Sequence, residues 1–379
     1  GSNPVTLTDE AVTAATLGFC KFLKKSVGER QLKIAVGHDS RISSERIEAA
    51  VLAALRRFGC DIRCCGLCST PAMFMMTQFV ETDCDGSIMI TASHHPFDKN
   101  GMKFFLRAGG VNSQQLDEII ELGSKDEPLN VVQRPLVTSR DYVGLYCDYL
   151  KGKVAAMTGE ATPLEGLKIV VDASNGAAGF FADRVLAALG ADVSGSQFLE
   201  PDGHFPNHSP NPENSEAMHA LSDKVKEEKA DLGIIFDADG DRAAFVSADG
   251  TEINRSSLIA LVAAIILEEE PGSAIVTDSV TSDGLRAFIE NKGGIHHRFK
   301  RGYRNVIDEA IRLENSGVSA PVAIETSGHA ALRENYYLDD GAYLALRIAV
   351  RLADMKKEDA ELNDLIADLK VPVESKEIR

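Results

Sequence analysis

Three observations predict an α/β protein built from similar units. Apolar runs of strand length end in polar turns: Leu32 to Val36 into Gly37-His38-Asp39-Ser40-Arg41, Leu167 to Val171 into Asp172-Ala173-Ser174-Asn175-Gly176, and Ala274 to Val276 into Thr277-Asp278-Ser279. Segments that follow, such as Ile47 to Phe58 and Phe180 to Leu189, carry apolar residues at helical rather than alternating spacing. The length of 379 residues, 44% of them hydrophobic, suffices for roughly two to four domains with cores of their own. Breaks are expected near residues 150 and 256. The helical segment around Tyr142 to Lys153 with its polar sequel marks the first, and the turn Asp249-Gly250 before a helix starting near Ser256 marks the second.

The chemistry is most concentrated at Asp237-Ala238-Asp239-Gly240-Asp241-Arg242, directly after the apolar run Leu232-Gly233-Ile234-Ile235-Phe236. Such a run reads as a buried parallel strand, and open α/β sheets place ligands beyond the carboxyl ends of their strands. Carboxylates this close raise each other's pKa values, so Asp237, Asp239 and Asp241 make most sense around a hard divalent cation, with Mg²⁺ the natural occupant. A solvated acidic turn is the plain alternative. An EF-hand fits poorly, because its sixth position would be Arg242 and its twelfth Ala248.

A metal site that keeps positions open for phosphate raises the question of a phosphoryl acceptor. Gly86-Ser87-Ile88-Met89-Ile90 reads as another buried strand, and it runs into Thr91-Ala92-Ser93-His94-His95-Pro96. Ser93 is then a hydroxyl at a strand's carboxyl end, beside His94 and His95, either of which can accept or supply its proton. Further on, Asn100-Gly101-Met102-Lys103 brings a lysine which, near cations, is shifted toward the neutral form and can act as an acid or base. A surface turn and a solvated strand lysine are the ordinary readings of these two segments.

Taken in order, Thr91-Ala92-Ser93-His94-His95-Pro96, Asn100-Gly101-Met102-Lys103, Asp237 to Arg242 and Glu325-Thr326-Ser327-Gly328-His329 resemble the α-D-phosphohexomutases, the superfamily of phosphoglucomutase, phosphomannomutase and phosphoglucosamine mutase. The resemblance implies three related mixed α/β-sheet domains around a central cleft: a phosphoserine domain over 1–150, a metal domain over 151–255 and a sugar domain over 256–365. It implies Ser93 as the phosphate carrier and a metal ligand, with Asp237, Asp239 and Asp241 holding Mg²⁺. Lys103 would be the general acid/base with His94 in support. Arg242 would fix phosphate or substrate, Glu325 and Ser327 would bind sugar hydroxyls, and His329 would lie alongside. Lys300-Arg301-Gly302-Tyr303-Arg304 aligns with the glycine-containing loop that precedes the sugar loop, making Gly302 and Arg304 substrate-binding. The expected reaction moves phosphate between C1 and C6 of glucose or mannose through a hexose 1,6-bisphosphate, which also serves as activator.

The pattern departs from the family at its ends. The family's opening arginine motif has no counterpart in Gly1-Ser2-Asn3-Pro4, and Val371-Pro372-Val373 through Arg379 falls where a linker, 366–379, would lead to a fourth domain. The expectation is a fragment without that domain, of reduced turnover. His38 and His95 stand where the family often has arginine and asparagine. Rival expectations are a phosphoglucosamine mutase, a phosphatase or phosphotransferase using Asp237 as nucleophile, and an inactive family member.

A net charge of −17 argues against nucleic acid as a partner and leaves a small sugar phosphate as the expected one. The longest apolar run, Leu258 to Leu267, is too short to span a bilayer, so no membrane partner is expected. A cytoplasmic location follows, or a plastid or other organelle if a transit peptide has been removed. Cys60, Cys64, Cys65 and Cys68 have redox or zinc spacing but no convincing second pair, and are expected to serve strand and turn packing as thiols.

Overall fold

The computed structural model describes residues 6–125 and 134–370. The readings placed on Gly1 to Pro4 and on Val371 to Arg379 lie outside the described residues. The chain forms three separate sheets, each mixed. The first comprises β1 (Lys33–His38), β2 (Asp61–Leu67), β3 (Gly86–Ile90), β4 (Met102–Leu106), β5 (Gly109–Gly110) and β6 (Val137–Ser139), in the order β5-β4-β3-β1-β2-β6. The second comprises β7 (Ile169–Asp172), β8 (Leu232–Phe236), β9 (Ala243–Ser247) and β10 (Glu252–Ile253), in the order β10-β9-β8-β7. The third comprises β11 (Ala274–Thr277), β12 (Ile295–Arg298), β13 (Val322–Ile324), β14 (Ala330–Leu332) and β15 (Leu338–Asp339), in the order β12-β11-β13-β14-β15.

The internal repeat is a repeat of topology. In the first sheet β1 lies between β2 and β3, parallel to both, and β4 returns antiparallel to β3. In the third, β11 lies parallel between β12 and β13, and β14 returns antiparallel. In the second, β7 pairs parallel with β8, β9 returns antiparallel, and the remaining neighbour shrinks to parallel bridges at Lys168–Asp192 and Asp172–Gln197. The strands Gly86–Ile90 and Leu232–Phe236 are therefore buried as read, but each is parallel on one side only.

Helices cover the sheets. α1 (Asp9–Val27) is capped by Thr8, whose hydroxyl accepts from the Ala11 amide, and it buries Val12, Phe19, Cys20 and Leu23. α2 (Ser44–Phe58) ends at Gly59, whose φ of 83° suits a residue without Cβ. α3 (Thr70–Met75), α4 (Ser113–Ser124), α5 (Tyr142–Thr158) and α6 (Ser215–Glu228) follow. α7 (Arg255–Glu269) is apolar around its whole circumference from Leu258 to Leu267 and is buried over that run, as a helix packed on all sides must be. α8 (Asp283–Asn291), α9 (Tyr303–Asn315) and α10 (Gly341–Lys356) complete the layers. The segment Phe180 to Leu189 is helical but irregular: Ala182–Leu186 is a π-turn and Ala187–Leu189 a 3₁₀-turn, ending at Gly190.

One apolar core runs through all three units, joining Met73 and Met75, Phe181 and Phe236, the whole Leu258 to Leu267 run of α7, and Leu346 and Leu352 of α10. Separate smaller clusters fill the outer faces. α5 and α10 pack together, and Tyr146 donates 2.6 Å to Asp340, so the helix after the first sheet is bonded to the helix after the third. No helix among the described residues is long and apolar enough to cross a membrane. Cys60 and Cys68, which flank β2, are buried, and Cys64 and Cys65 on it are partly buried, all as free thiols; burial pushes the Cys65 and Cys68 thiols upward, which suits packing more than reactivity.

Candidate active site

The chemical motifs occupy equivalent places in the repeat. Ser93 lies between β3 and β4, the aspartate pentad between β8 and β9, and Glu325 to His329 between β13 and β14. Each is the link into the first antiparallel strand of its sheet, and a residue at the end of the first strand braces it. Thr91 donates 2.7 Å to Asp39, Thr326 donates 2.7 Å to Asp278, and Ser174 donates 2.6 Å to the Phe236 carbonyl. Three sheets packed about one core thus turn the same edge toward a shared cleft.

The serine loop is held by a buried arginine. Arg41 pairs with Asp39 at 3.1 Å and donates to the carbonyls of Pro96 (2.6 Å), Lys99 (3.0 Å), His95 (2.6 Å) and Ser93. Asp39 and Arg41 are 0% and 2% exposed. Ser93 has a φ of 50°, uncommon for a residue with Cβ, so the loop is over-determined from outside. Its amide donates 2.8 Å to Thr91, and its hydroxyl donates 2.8 Å to Asp237 and lies 3.3 Å from His94 Nδ1. Burial, then the Arg242 charge, pushes the His94 imidazole down to about 3, leaving it neutral.

The aspartate loop is buried throughout, and one ligand oxygen from each of Asp237, Asp239 and Asp241 lies within 4.8 Å of the others. Asp239 Oδ1 and Asp241 Oδ1 are buried without any hydrogen-bond partner. Such oxygens are costly unless something positive meets them, so the donor set fits a hard divalent cation. Burial, then Asp241 and Asp239, pushes the Asp237 carboxyl well above the usual range; Asp239 is buried too, but Lys103 and Thr70 hold it below. Gly240, at φ 70°, makes the turn where an added Cβ would meet Ala178 and Ser69 at 3.3 Å. Arg242 is almost fully buried and donates 3.1 Å to Asp237, while its Nη2 has no partner.

Lys103 on β4 reaches across to this loop. Its Nζ donates 2.8 Å to Asp239 and 2.6 Å to Asp241. The sequence reading expected cations to favour its neutral form. The nearest charges are carboxylates instead, and although burial favours the neutral amine, Asp239 and Asp241 raise its pKa well above the ordinary value. With those carboxylates uncompensated, Lys103 keeps its proton.

The 325–329 loop is a tight turn in which the Glu325 amide donates 2.9 Å to the His329 carbonyl and Arg242 forms an antiparallel bridge with His329. Glu325 Oε1 accepts 2.6 Å from the Gly302 amide, and Gly302 has a φ of 120°, which ties the glycine loop to the 325–329 loop. Ser327 bonds His329 Nδ1 at 2.9 Å, and the Tyr303 ring stacks on His329 with centroids 5.5 Å apart. Arg304 pairs with Asp308 at 2.8 Å and crowds Gly109, where a Cβ would sit 2.9 Å from its Nη1. Ser93, His94, Lys103, Arg242, the triad, Gly302, Glu325, Ser327 and His329 form one linked constellation, with Arg304 at its edge against the first sheet.

Comparisons with known proteins cover nearly the whole of this architecture. The descriptions "Phosphoglucomutase/phosphomannomutase, alpha/beta/alpha domain I", "domain II" and "domain III" match residues 1–129, 145–250 and 254–370. The chain belongs to the phosphoglucomutase/phosphomannomutase family. A phosphomannomutase/phosphoglucomutase of Pseudomonas syringae is 31% identical over 93% of this chain and 72% of that protein. A phosphoglucosamine mutase of Azorhizobium caulinodans is 32% identical over 96% of this chain and 79% of that protein. The crystal structure of a phosphoglucomutase/phosphomannomutase family protein from Burkholderia thailandensis superimposes with a TM-score of 0.82 at 28% identity, covering 98% of this chain and 78% of the other. The chain is thus a member of the α-D-phosphohexomutase superfamily, a group of isomerases, with three related α/β domains of mixed sheet.

Several residues of this phosphohexomutase fold bear on the site yet escaped the sequence reading. Arg41 and Asp39 appear in sequence only as part of a polar turn. Thr70, at the start of α3, donates its hydroxyl to Asp239 and its amide, at 2.8 Å, to the Asp239 carbonyl. Asp339 lies 3.6 Å from His329 Nε2, and Tyr303 stacks on that imidazole. No local motif marks them. The one available signal was the repeat, and it reaches Asp39 alone: an aspartate follows the first strand of the first and third sheets, and a threonine lies near the end of the strand that pairs with it.

Proposed function

We infer that this family member is a Mg²⁺-dependent phosphohexomutase that interconverts hexose 1-phosphate and hexose 6-phosphate, of glucose, mannose or both, through phospho-Ser93 and a hexose 1,6-bisphosphate. The observation that carries this reading is the 2.8 Å contact between Ser93 Oγ and Asp237 of the aspartate triad, made across two domains. Asp237, Asp239 and Asp241, with an oxygen of the Ser93 phosphate, are assigned to the cation. A cation there supplies positive charge against the carboxylates and the phosphate.

In the first half-reaction a sugar hydroxyl oxygen bonds to phosphorus as the phosphorus–Oγ bond of phospho-Ser93 breaks. The hydroxyl proton passes to a basic side chain of the cleft, and Oγ receives a proton in its place. Lys103 is assigned to proton transfer, with the neutral His94 imidazole, 3.3 Å from Oγ, in support. The second half-reaction reverses these bonds at the other phosphate, after the bisphosphate has turned within the cleft. Glu325, Ser327 and His329 are assigned to ring hydroxyls, Arg242, Gly302 and Arg304 to phosphate and loop placement. Positioning and charge neutralisation are what phosphoryl transfer asks of a protein. Asp237 is a poor candidate for nucleophile, because its Oδ2 already accepts from both Ser93 and Arg242. A cytoplasmic setting and a small sugar phosphate as partner fit the acidic chain and its free thiols.

Peptide-mapping mass spectrometry after incubation with Mg²⁺ and glucose 1,6-bisphosphate tests the reading. Phosphate on Ser93, absent from Ser93→Ala, is expected, together with turnover of glucose 1-phosphate or mannose 1-phosphate in a coupled assay. Phosphate on Asp237, or turnover of the amino-sugar phosphate alone, would replace it.

A further inference from the structure

His329 stands between two carboxylates that the mutase reading does not use together. Its Nε2 lies 3.8 Å from Asp241 Oδ1 and 3.6 Å from Asp339 Oδ2. Asp339 is 8% exposed, and neither of its carboxylate oxygens has a hydrogen-bond partner; Asp241 Oδ1 is likewise unpartnered. One ligand atom from each of the three residues falls within 4.8 Å of the others. Around a tetrahedral zinc with bonds of about 2.0–2.1 Å, ligand atoms sit roughly 3.4 Å apart, so the two imidazole–carboxylate distances need only a few tenths of an ångström of contraction, and the carboxylate pair closes by side-chain rotation.

We propose that Asp241, His329 and Asp339 form a second divalent-cation site, of zinc rather than magnesium type, between the sugar loop and the metal loop. An imidazole ligand selects for zinc-like ions over magnesium. The imidazole is prepared as a metal-ligating histidine usually is: Nδ1 is engaged by Ser327 at 2.9 Å, which leaves Nε2 facing the carboxylates, and the Tyr303 ring fixes its plane. Charge allows the occupant. Asp237, Asp239, Asp241, Asp339 and Glu325 gather here against Lys103 and Arg242, so negative charge remains after one dication has bound. Asp241 would bridge the two sites, with Oδ1 toward His329 and Oδ2, which shares Lys103 with Asp239, on the triad side. A zinc held there pins His329 and Asp339 to the metal loop and withdraws His329 from the sugar. On the mutase reading, such a zinc would inhibit. The inference goes beyond the mutase reading, because it needs the three side chains and not the phosphate on Ser93.

Zinc binding to the whole chain, measured by calorimetry at two saturating Mg²⁺ concentrations, tests the proposal. The expected result is a single zinc whose affinity is the same at both Mg²⁺ concentrations and falls at least about tenfold in Asp339→Asn and again in His329→Gln. Melting temperatures and Mg²⁺ binding of both variants serve as folding controls. A zinc affinity that declines in proportion to Mg²⁺ would put the zinc in the Asp237, Asp239, Asp241 triad and overturn the proposal. So would zinc binding unchanged in both folded variants, or none in the unaltered protein. If Ser93 proves not to be phosphorylated, the mutase reading fails and this test stands.

Discussion

Replacing Arg41 should damage catalysis without touching the substrate. Its guanidinium serves four backbone carbonyls of the 93–99 loop and the Asp39 carboxylate from a fully enclosed position. In Arg41→Lys the charge survives, but an ammonium has three donors and no fork, so about two of these carbonyls lose their partner at roughly 1–3 kcal/mol each. A stability loss of about 3 kcal/mol is expected for Arg41→Lys, and somewhat more, about 3–5 kcal/mol, for Arg41→Met, which leaves the buried Asp39 carboxylate without its countercharge. The catalytic cost follows from Ser93, held at a φ of 50° by this clamp. A displacement of its Oγ by about 1 Å lowers kcat roughly 100-fold, with KM for the sugar phosphate nearly unchanged. The pH dependence carries a further sign. Burial already raises the Asp39 pKa, and Arg41 opposes that rise. Removing Arg41 raises it further, so the folded state of Arg41→Met gains a proton that the unfolded chain lacks, and its stability deficit should shrink as pH falls from 8 toward 5. Chemical denaturation at several pH values, beside steady-state kinetics at a temperature where both variants are folded, measures all of this. A kcat within twofold of the parent in folded Arg41→Lys would refute the positioning argument.

Further predictions concern the metal, a buried ion pair and a turn. Mg²⁺ at 100 times its dissociation constant should stabilise the fold by about 2.7 kcal/mol, seen as a rise in melting temperature, and Asp239→Asn should lose most of that rise. His208 is nearly enclosed, with Nε2 2.9 Å from Asp172 and Nδ1 3.0 Å from the Ser209 carbonyl; burial lowers its pKa, but the Asp172 hydrogen bond and charge raise it overall. Its contribution is therefore full below the unfolded histidine pKa and lost as pH rises through the folded one. His208→Asn should cost about 3 kcal/mol at acidic pH and less at alkaline pH, by denaturation at both. Gly240→Ala, forced to φ 70° with its Cβ against Ala178 and Ser69, should cost about 1–2 kcal/mol and weaken Mg²⁺ binding in a titration.

Much of the site was legible because its ligands are consecutive in the chain. Asp237, Asp239 and Asp241 are two residues apart at a strand end, so any fold that makes the strand gathers them. Ser93 with His94, and Glu325 with Ser327 and His329, are local in the same way. The surroundings that set their chemistry are not local. Lys103 was read as facing cations, and it faces Asp239 and Asp241, because a charge's neighbours come from other domains. Phe180 to Leu189 keeps its helical pattern, but the turn is wound to π and 3₁₀ geometry.

The sequence by itself determined the α/β class, the repeated strand, turn and helix, and the identity of the chemical groups, since these follow from periodicity and from residues adjacent in the chain. Only the tertiary structure decided that the links into the first antiparallel strand of three sheets meet in one cleft, that Arg41 holds the serine loop, and that Asp339 stands beside His329. Those partners are separated by tens to hundreds of residues, and packing about a common core, rather than any local preference, sets the distances between them.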